Sequence, residues 1–219
     1  MSNMAQDPGL NQLLQWSIEN SDASRDAAPT DQQRDPSKGL NAEMLQQLLG
    51  GPSDADRMRM AMTAILAPIE EVDLENKLTA WDNLEQLIEN LDNANNMASL
   101  GMWQPLVQQL ENTEAEMRRM ACWCLSTAVQ NNIKSQEQLL ALNAIPKLVK
   151  LATEDKNQAV RKKAVSALSS EVRNYQPALD ELQKAMPKQL WSNPQRLDAA
   201  EMDQVDEIIS KLREQASRA

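Results

Sequence analysis

Three prolines fall at one fixed interval. Pro105, Pro146 and Pro187 stand 41 residues apart, each just after an apolar residue, Trp103, Ile145 or Met186. A second block repeats behind the first two prolines: Arg118-Arg-Met-Ala-Cys-Trp-Cys-Leu-Ser-Thr-Ala-Val-Gln-Asn131 against Arg161-Lys-Lys-Ala-Val-Ser-Ala-Leu-Ser-Ser-Glu-Val-Arg-Asn174. An earlier copy reads Lys77-Leu-Thr-Ala-Trp-Asp-Asn-Leu-Glu-Gln-Leu-Ile-Glu-Asn90. A period of roughly 40 to 47 residues is the length of a unit of two or three helices, which cannot bury its apolar face without a neighbour. The chain is thereby committed to a stack of helical units, an architecture that presents a long surface to partners.

The fold class follows from the residues inside the copies. Ala121, Trp123 and Leu125 resemble the third helix of an armadillo repeat, and Ile145-Pro146-Lys147-Leu148-Val149-Lys150-Leu151 resembles its second. With no Phe and one Tyr in 219 residues, the apolar content suits helices better than sheets. The predicted fold is all-α, an armadillo-like helical repeat solenoid with a largely disordered N-terminal segment. Residues 1–53 form that segment, with short helices at about 9–19 and 40–49; about 21–39 is disordered because Asp, Ala, Ser, Gln and Pro bury too little apolar surface to offset ordering entropy. Residues 54–219 form the repeat domain, with copies at about 69–98, 99–134 and 135–176 and an atypical capping region at 177–219, where Asp203 replaces an expected core residue. Ser53 is placed to cap a helix starting at Asp54, and each proline is expected in the first turn of a helix.

Aligning the third helices separates two faces. Ala80/Ala121/Ala164, Trp81/Cys122/Val165, Leu84/Leu125/Leu168 and Ile88/Val129/Val172 stay apolar and are predicted core. The neighbouring face reads Asp82, Gln86, Glu89 in one copy, then Arg119, Trp123, Thr127, Gln130, then Lys162, Ser166, Ser170, Arg173. In armadillo folds that face lines the concave groove. Trp123, a large aromatic among polar neighbours, is the strongest binding anchor on it.

Composition removes whole classes of function. With no His, imidazole acid/base chemistry, His-ligated metals and His-containing triads are excluded. Cys122 and Cys124 lie two apart on a helix, so they point to different sides and read as core hydrophobes of a reducing compartment. No phosphate-cradling Gly motif exists among five glycines, so no enzyme and no cofactor is expected. No apolar run approaches the ~18 residues of a membrane span, and no export signal opens the chain, which implies a soluble, cytoplasmic protein. The net charge of -10 disfavours nucleic acid and anionic membrane as partners. The charge is polarised along the chain: Ile69 to Leu100 carries eight acids against Lys77 alone, whereas Arg118 to Arg173 carries ten bases and four acids. Such a surface suits a protein of matching polarity, bound by a monomeric solenoid. Two rival readings are a generic armadillo adaptor holding an extended peptide, for which one groove Trp is meagre, and a translation-associated factor resting on Arg118, Arg119, Arg161, Lys162 and Lys163.

The run from Val72 to Asn96, Val-Asp-Leu-Glu-Asn-Lys-Leu-Thr-Ala-Trp-Asp-Asn-Leu-Glu-Gln-Leu-Ile-Glu-Asn-Leu-Asp-Asn-Ala-Asn-Asn, resembles the armadillo-type nucleotide exchange factors of cytosolic heat-shock-70 chaperones in their fungal form. The segment Leu13-Leu14-Gln15-Trp16-Ser17-Ile18-Glu19-Asn20-Ser21, the Leu-Leu-Gly-Gly-Pro at 48–52 and Thr127-Ala-Val-Gln-Asn-Asn132 resemble that family in order. The resemblance implies a non-enzymatic co-chaperone that clasps one lobe of the chaperone's ATPase domain and speeds ADP release, promoting client release and folding. It implies a contact through the polar loop Asn90, Asp92, Asn93, Ala94, Asn95 and Asn96, and another through Arg196. Ala94→Arg is then expected to weaken binding and leave stability unchanged. The segment holding Leu13, Leu14, Trp16 and Ile18 is expected to imitate an unfolded client at the chaperone's substrate-binding domain. Longer relatives are expected to continue with further repeats where this chain ends.

Overall fold

The computed structural model describes residues 51–218, whose regular elements are all helices, with no strand among the described residues. The expected helices at about 9–19 and 40–49, the stretch at about 21–39, and Leu13, Leu14, Trp16 and Ile18 lie outside the described residues. From Asp54 the chain forms one compact unit. Its helices are α1 (Asp54–Leu66), α2 (Leu74–Ile88), α3 (Leu91–Asn96), α4 (Trp103–Gln108), α5 (Ala115–Val129), α6 (Ile133–Ala141), α7 (Ala144–Glu154), α8 (Gln158–Val172), α9 (Gln176–Ala185) and α10 (Met202–Ser217). A 3-10 turn, Gln109–Glu111, prolongs α4. The triplets α3–α4–α5 and α6–α7–α8 are two repeats of two shorter helices followed by a long third, and the long helices α2, α5, α8 and α10 pack in sequence, each on the next.

Local chemistry sets the boundaries. Asp73, Asn90, Asn132 and Asn157 accept backbone N–H bonds at the starts of α2, α3, α6 and α8, contacts that contribute about 1 kcal/mol each. Asn131 and Asn174, which close the aligned blocks, turn the chain with φ of 53° and 56°, a left-handed conformation that Asn tolerates better than other residues with a Cβ. Asn90 has an extended φ of -74° and is itself the cap of α3, so it plays the part of Asn132 rather than Asn131. Lys77, the one base in the acidic stretch, donates from Nζ to the carbonyls of Ile65, at 2.9 Å, and Ala67. A cation there satisfies orphan acceptors at the negative end of α1.

The predicted core is the observed core. Every aligned apolar position of the third helices is buried, from Ala80 and Trp81 to Leu168 and Val172. Trp81 is fully enclosed, its Nε1 directed at Met117 Sδ, 3.3 Å away, with Cys124 Sγ 3.8 Å from its carbonyl oxygen. Both cysteines are buried free thiols whose ionisation burial pushes far up, so they pack as small hydrophobes.

Three expectations are corrected. Pro105 and Pro146 sit in the first turns of α4 and α7, but Pro187 heads only a hydrogen-bonded turn, closed by the amides of Leu190 and Trp191. Residues 90–96 are not a loop: they cap and form α3, whose Ala94 faces inward at 3% exposure. Finally, the capping region contains a full third-type helix. Val205, Ile208, Ile209, Leu212 and Ala216 of α10 are buried against the stack, and Asp203 lies outside that row, on the exposed side.

Two outcomes follow from these placements. Ala94→Arg forces a long cation into a filled interior, so thermal unfolding should show a loss of about 1–3 kcal/mol or more, with Ala94→Ser much milder. Glu171, fully buried with both carboxylate oxygens unpartnered, has its carboxyl pushed up by burial to about 9 from an ordinary 4.5. Below the ordinary value it is protonated folded and unfolded alike; as pH rises towards 9 the folded state alone keeps the proton, and stability falls. Glu171→Gln should therefore stabilise the protein clearly at about pH 8 and little at about pH 4, as urea titrations at both values would show.

Candidate functional site: the polar face of the third helices

The side chains one position beyond the buried rows of α2, α5 and α8 share a polar face, and bonds between helices hold it together. Thr127 Oγ1 of α5 donates to Glu85 Oε1 of α2 at 2.6 Å. Ser126 and Ser170 join α5 to α8 at 3.1 Å. Lys163 of α8 lies over the Trp123 ring, 4.1 Å from its centroid, a geometry in which the ring quadrupole attracts the ammonium. Burial, and secondarily Arg119, lowers the Lys163 pKa, while Glu85 opposes the shift. Within helices, Gln86 Nε2 donates to Asp82 Oδ2 at 2.8 Å, and Arg119 pairs with Glu116 at 2.8 Å. The result is a rigid strip, acidic on α2 and basic on α8.

The residues expected from sequence divide into three groups. Asp82 and Gln86 on α2, and Lys162 and Ser166 on α8, are exposed on the strip; Glu89 and Gln130 are exposed just past the ends of α2 and α5. Trp123 and Thr127 are half-buried and engaged, Trp123 packing against the core as well as under Lys163. Arg173 turns away from the strip to Asp206 and the Ser169 hydroxyl, tying α8 to α10.

The remaining residues have other tasks. Asn93 Nδ2 donates to Leu87 O at 2.9 Å and Asp54 Oδ2 at 3.0 Å, fastening α3 to the start of α1. Asn96 bonds Ser99, Asp92 is exposed, and Asn95 Oδ1 is buried without a partner. Arg196 makes a two-pronged pair with Asp180 at 2.9 and 2.8 Å. Those hydrogen bonds hold the Asp180 carboxyl below its usual range, and they place Arg196 beside α9.

Sequence reasoning missed Glu85, Ser126 and Ser169, although their positions are polar in all three copies at the same offset. A polar residue repeated beside an apolar row was the available signal. Among the described residues no cluster of His, Cys, Asp or Glu is suited to a metal ion, and no helix is long and apolar enough to cross a membrane. A face of this kind can bind and orient a protein surface.

Comparison with known proteins agrees with this architecture. Two engineered proteins of known crystal structure are similar in fold, one with a TM-score of 0.53 at 18% identity over 80% of this chain and 71% of its own, the other with 0.54 at 17% over 81% and 69%. Residues 10–97 match the family described as nucleotide exchange factor Fes1, and residues 93–202 match the SIL1/FES1/HPBP1 C-terminal domain. A protein of Gibberella zeae named Hsp70 nucleotide exchange factor FES1 is 52% identical over 97% of this chain and 99% of its own length. Proteins of the same name from Coccidioides immitis and Saccharomyces cerevisiae are 50% identical over 95% of this chain and 98% of theirs, and 44% identical over 76% and 56%. With matches that run through the repeats and cover nearly the whole chain, this protein belongs to the Fes1 family of nucleotide exchange factors.

Proposed function

We propose that this protein is a co-chaperone that binds the ATPase domain of a cytosolic Hsp70 and accelerates ADP release. The observation that carries the proposal is the 52% identity, over nearly the full length of both chains, to a relative named Hsp70 nucleotide exchange factor. The polar strip supports it: exposed acids along α2 and the exposed Lys162 of α8, held on one stack, offer a partner of opposite polarity a single orientation. Asp82, Gln86, Glu89, Gln130, Lys162 and Ser166 are the contacts in this reading, with Trp123 beneath them as a stiff support.

No group on this protein needs to react. If the strip prefers an opened lobe of the ATPase domain, linkage requires ADP affinity to fall by the ratio of the strip's affinities for the two states. Coupling of about 1–3 kcal/mol, or roughly 5- to 150-fold, is ordinary for such devices. Stopped-flow release of a fluorescent ADP analogue from an Hsp70 ATPase domain tests this directly. Release should accelerate with added protein and reach a plateau; an unchanged rate at saturating protein refutes the proposal.

The segment carrying Leu13, Leu14, Trp16 and Ile18 adds a second step in this reading, occupying the chaperone's substrate cleft once the repeat domain has docked. Tethering raises its local concentration without any new contact on the strip. Deleting residues 1–38 should leave ADP release unchanged and slow the departure of a labelled client peptide from full-length Hsp70. Equal client release at matched exchange activity would remove the segment from the mechanism.

A further inference from the structure

The polar strip does not stop at α8. Helix α10 packs on α8 as a fourth third-type helix, and an open pocket of about 440 Å³ lies where α5, α8 and α10 meet. Lys162 and Arg213 flank it, and Ser126, Ser169, Ser170 and Ser217 line it. Among the described residues no acidic side chain lines it. The family match ends at residue 202, so nearly all of α10, Arg213 included, lies beyond the matched residues.

The surrounding ion pairs decide which cations are available. Arg118 is held by Asp155 at 2.7 Å, Arg119 by Glu116 at 2.8 Å, and Arg173 by Asp206. Arg161 is spent on backbone: it donates to Asp155 O at 2.8 Å, to Ala216 O at 3.1 Å and to Arg218 O, capping the carbonyl end of α10. That cap holds the last turn of α10, and Arg213, one turn before Ala216, lines the pocket. Lys162 and Arg213 are exposed and have no ion-pair partner among the described residues. The hydroxyls are poised in the same sense. Ser126 and Ser170 share one hydrogen between two oxygens, leaving the second for an acceptor, and Ser169 accepts from Arg173 Nε at 3.3 Å while keeping its own hydrogen.

We infer that the pocket between α5, α8 and α10 receives an acidic segment of the chaperone partner, whose carboxylates Lys162 and Arg213 hold with help from the serine hydroxyls. The inference rests on the proposed function and gives the basic end of the strip its complement. Carboxylate suits the pocket better than phosphate, because no helix N-terminus opens into it and its walls are mid-helix and C-terminal turns whose amides are already used. Exposed cations that no carboxylate pairs also draw an acidic partner from a distance, so their effect should appear in the salt dependence of binding as well as in affinity.

The test uses the full chain and a cytosolic Hsp70 ATPase domain in ADP. Lys162→Glu and Arg213→Glu, singly and together, alter exposed side chains, and circular dichroism should show folds and melting points like the parent's. Each reversal should weaken binding about 10-fold, and the neutral pair Lys162→Gln with Arg213→Gln should weaken it less while flattening its decline with salt. Accelerated ADP release should be lost at low protein and recovered at high protein. If the parent binds and accelerates release and the double reversal matches it in affinity and salt dependence, the pocket does not hold the partner; this inference falls, and Lys162 with it as a contact of the strip, while the proposed exchange function stands. If the parent neither binds nor accelerates release, the proposed function falls and takes the inference with it.

Discussion

The packing of one long helix against the next is the contact on which everything else in this protein depends. A single armadillo-like unit leaves an apolar row uncovered, and only the following unit covers it. Here the row passes through Trp81, Cys122 and Val165 and continues into Val205, Ile208 and Ile209 of α10. Trp81 shows how closely the join is made, with a sulfur of α5 at its indole nitrogen and another near its carbonyl. Once those rows are buried, the polar residues beside them lie together along one side of the stack, Asp82, Gln86, Lys162 and Ser166 exposed and Glu85 and Ser169 covered.

The polar face is thus a consequence of the core. Its order comes from a few bonds that cross between helices, Thr127 to Glu85, Ser126 to Ser170 and Lys163 over Trp123. Such bonds restrict rotamers before a partner arrives, which lowers the entropic cost of association. The same crossings sort the charges. Arginines of the basic stretch are largely consumed within the fold and Lys163 lies over Trp123, whereas Lys162 remains open on α8, so counting bases along the chain overstates what a partner meets.

Much of this was legible in the chain. The interval between prolines and the three aligned blocks specified a helical solenoid, and the alternation of apolar and polar positions identified the core and the strip, because a helix with one buried stripe must show its period in sequence. Ala94 was not legible. Its neighbours are Asn and Asp, and polarity alone suggested a loop; α3 forms because Asn90 caps it, and Ala94 turns inward because α3 must lie on the stack. The last repeat is hard to read for a similar reason, since Pro187 keeps the interval without starting a helix, and the apolar row of α10 begins at Val205, two residues after Asp203.

The sequence by itself determined what is periodic and local: helical class, repeat length, caps, buried rows, and the absence of any histidine for catalysis. Only the tertiary structure decided which charges are free. Whether Arg173 faces a partner or Asp206, and whether Arg161 is a contact or the cap of α10, depends on residues 33 and 55 positions away in the chain. Pairings over such distances are set by how the helices stack, and no local pattern encodes them.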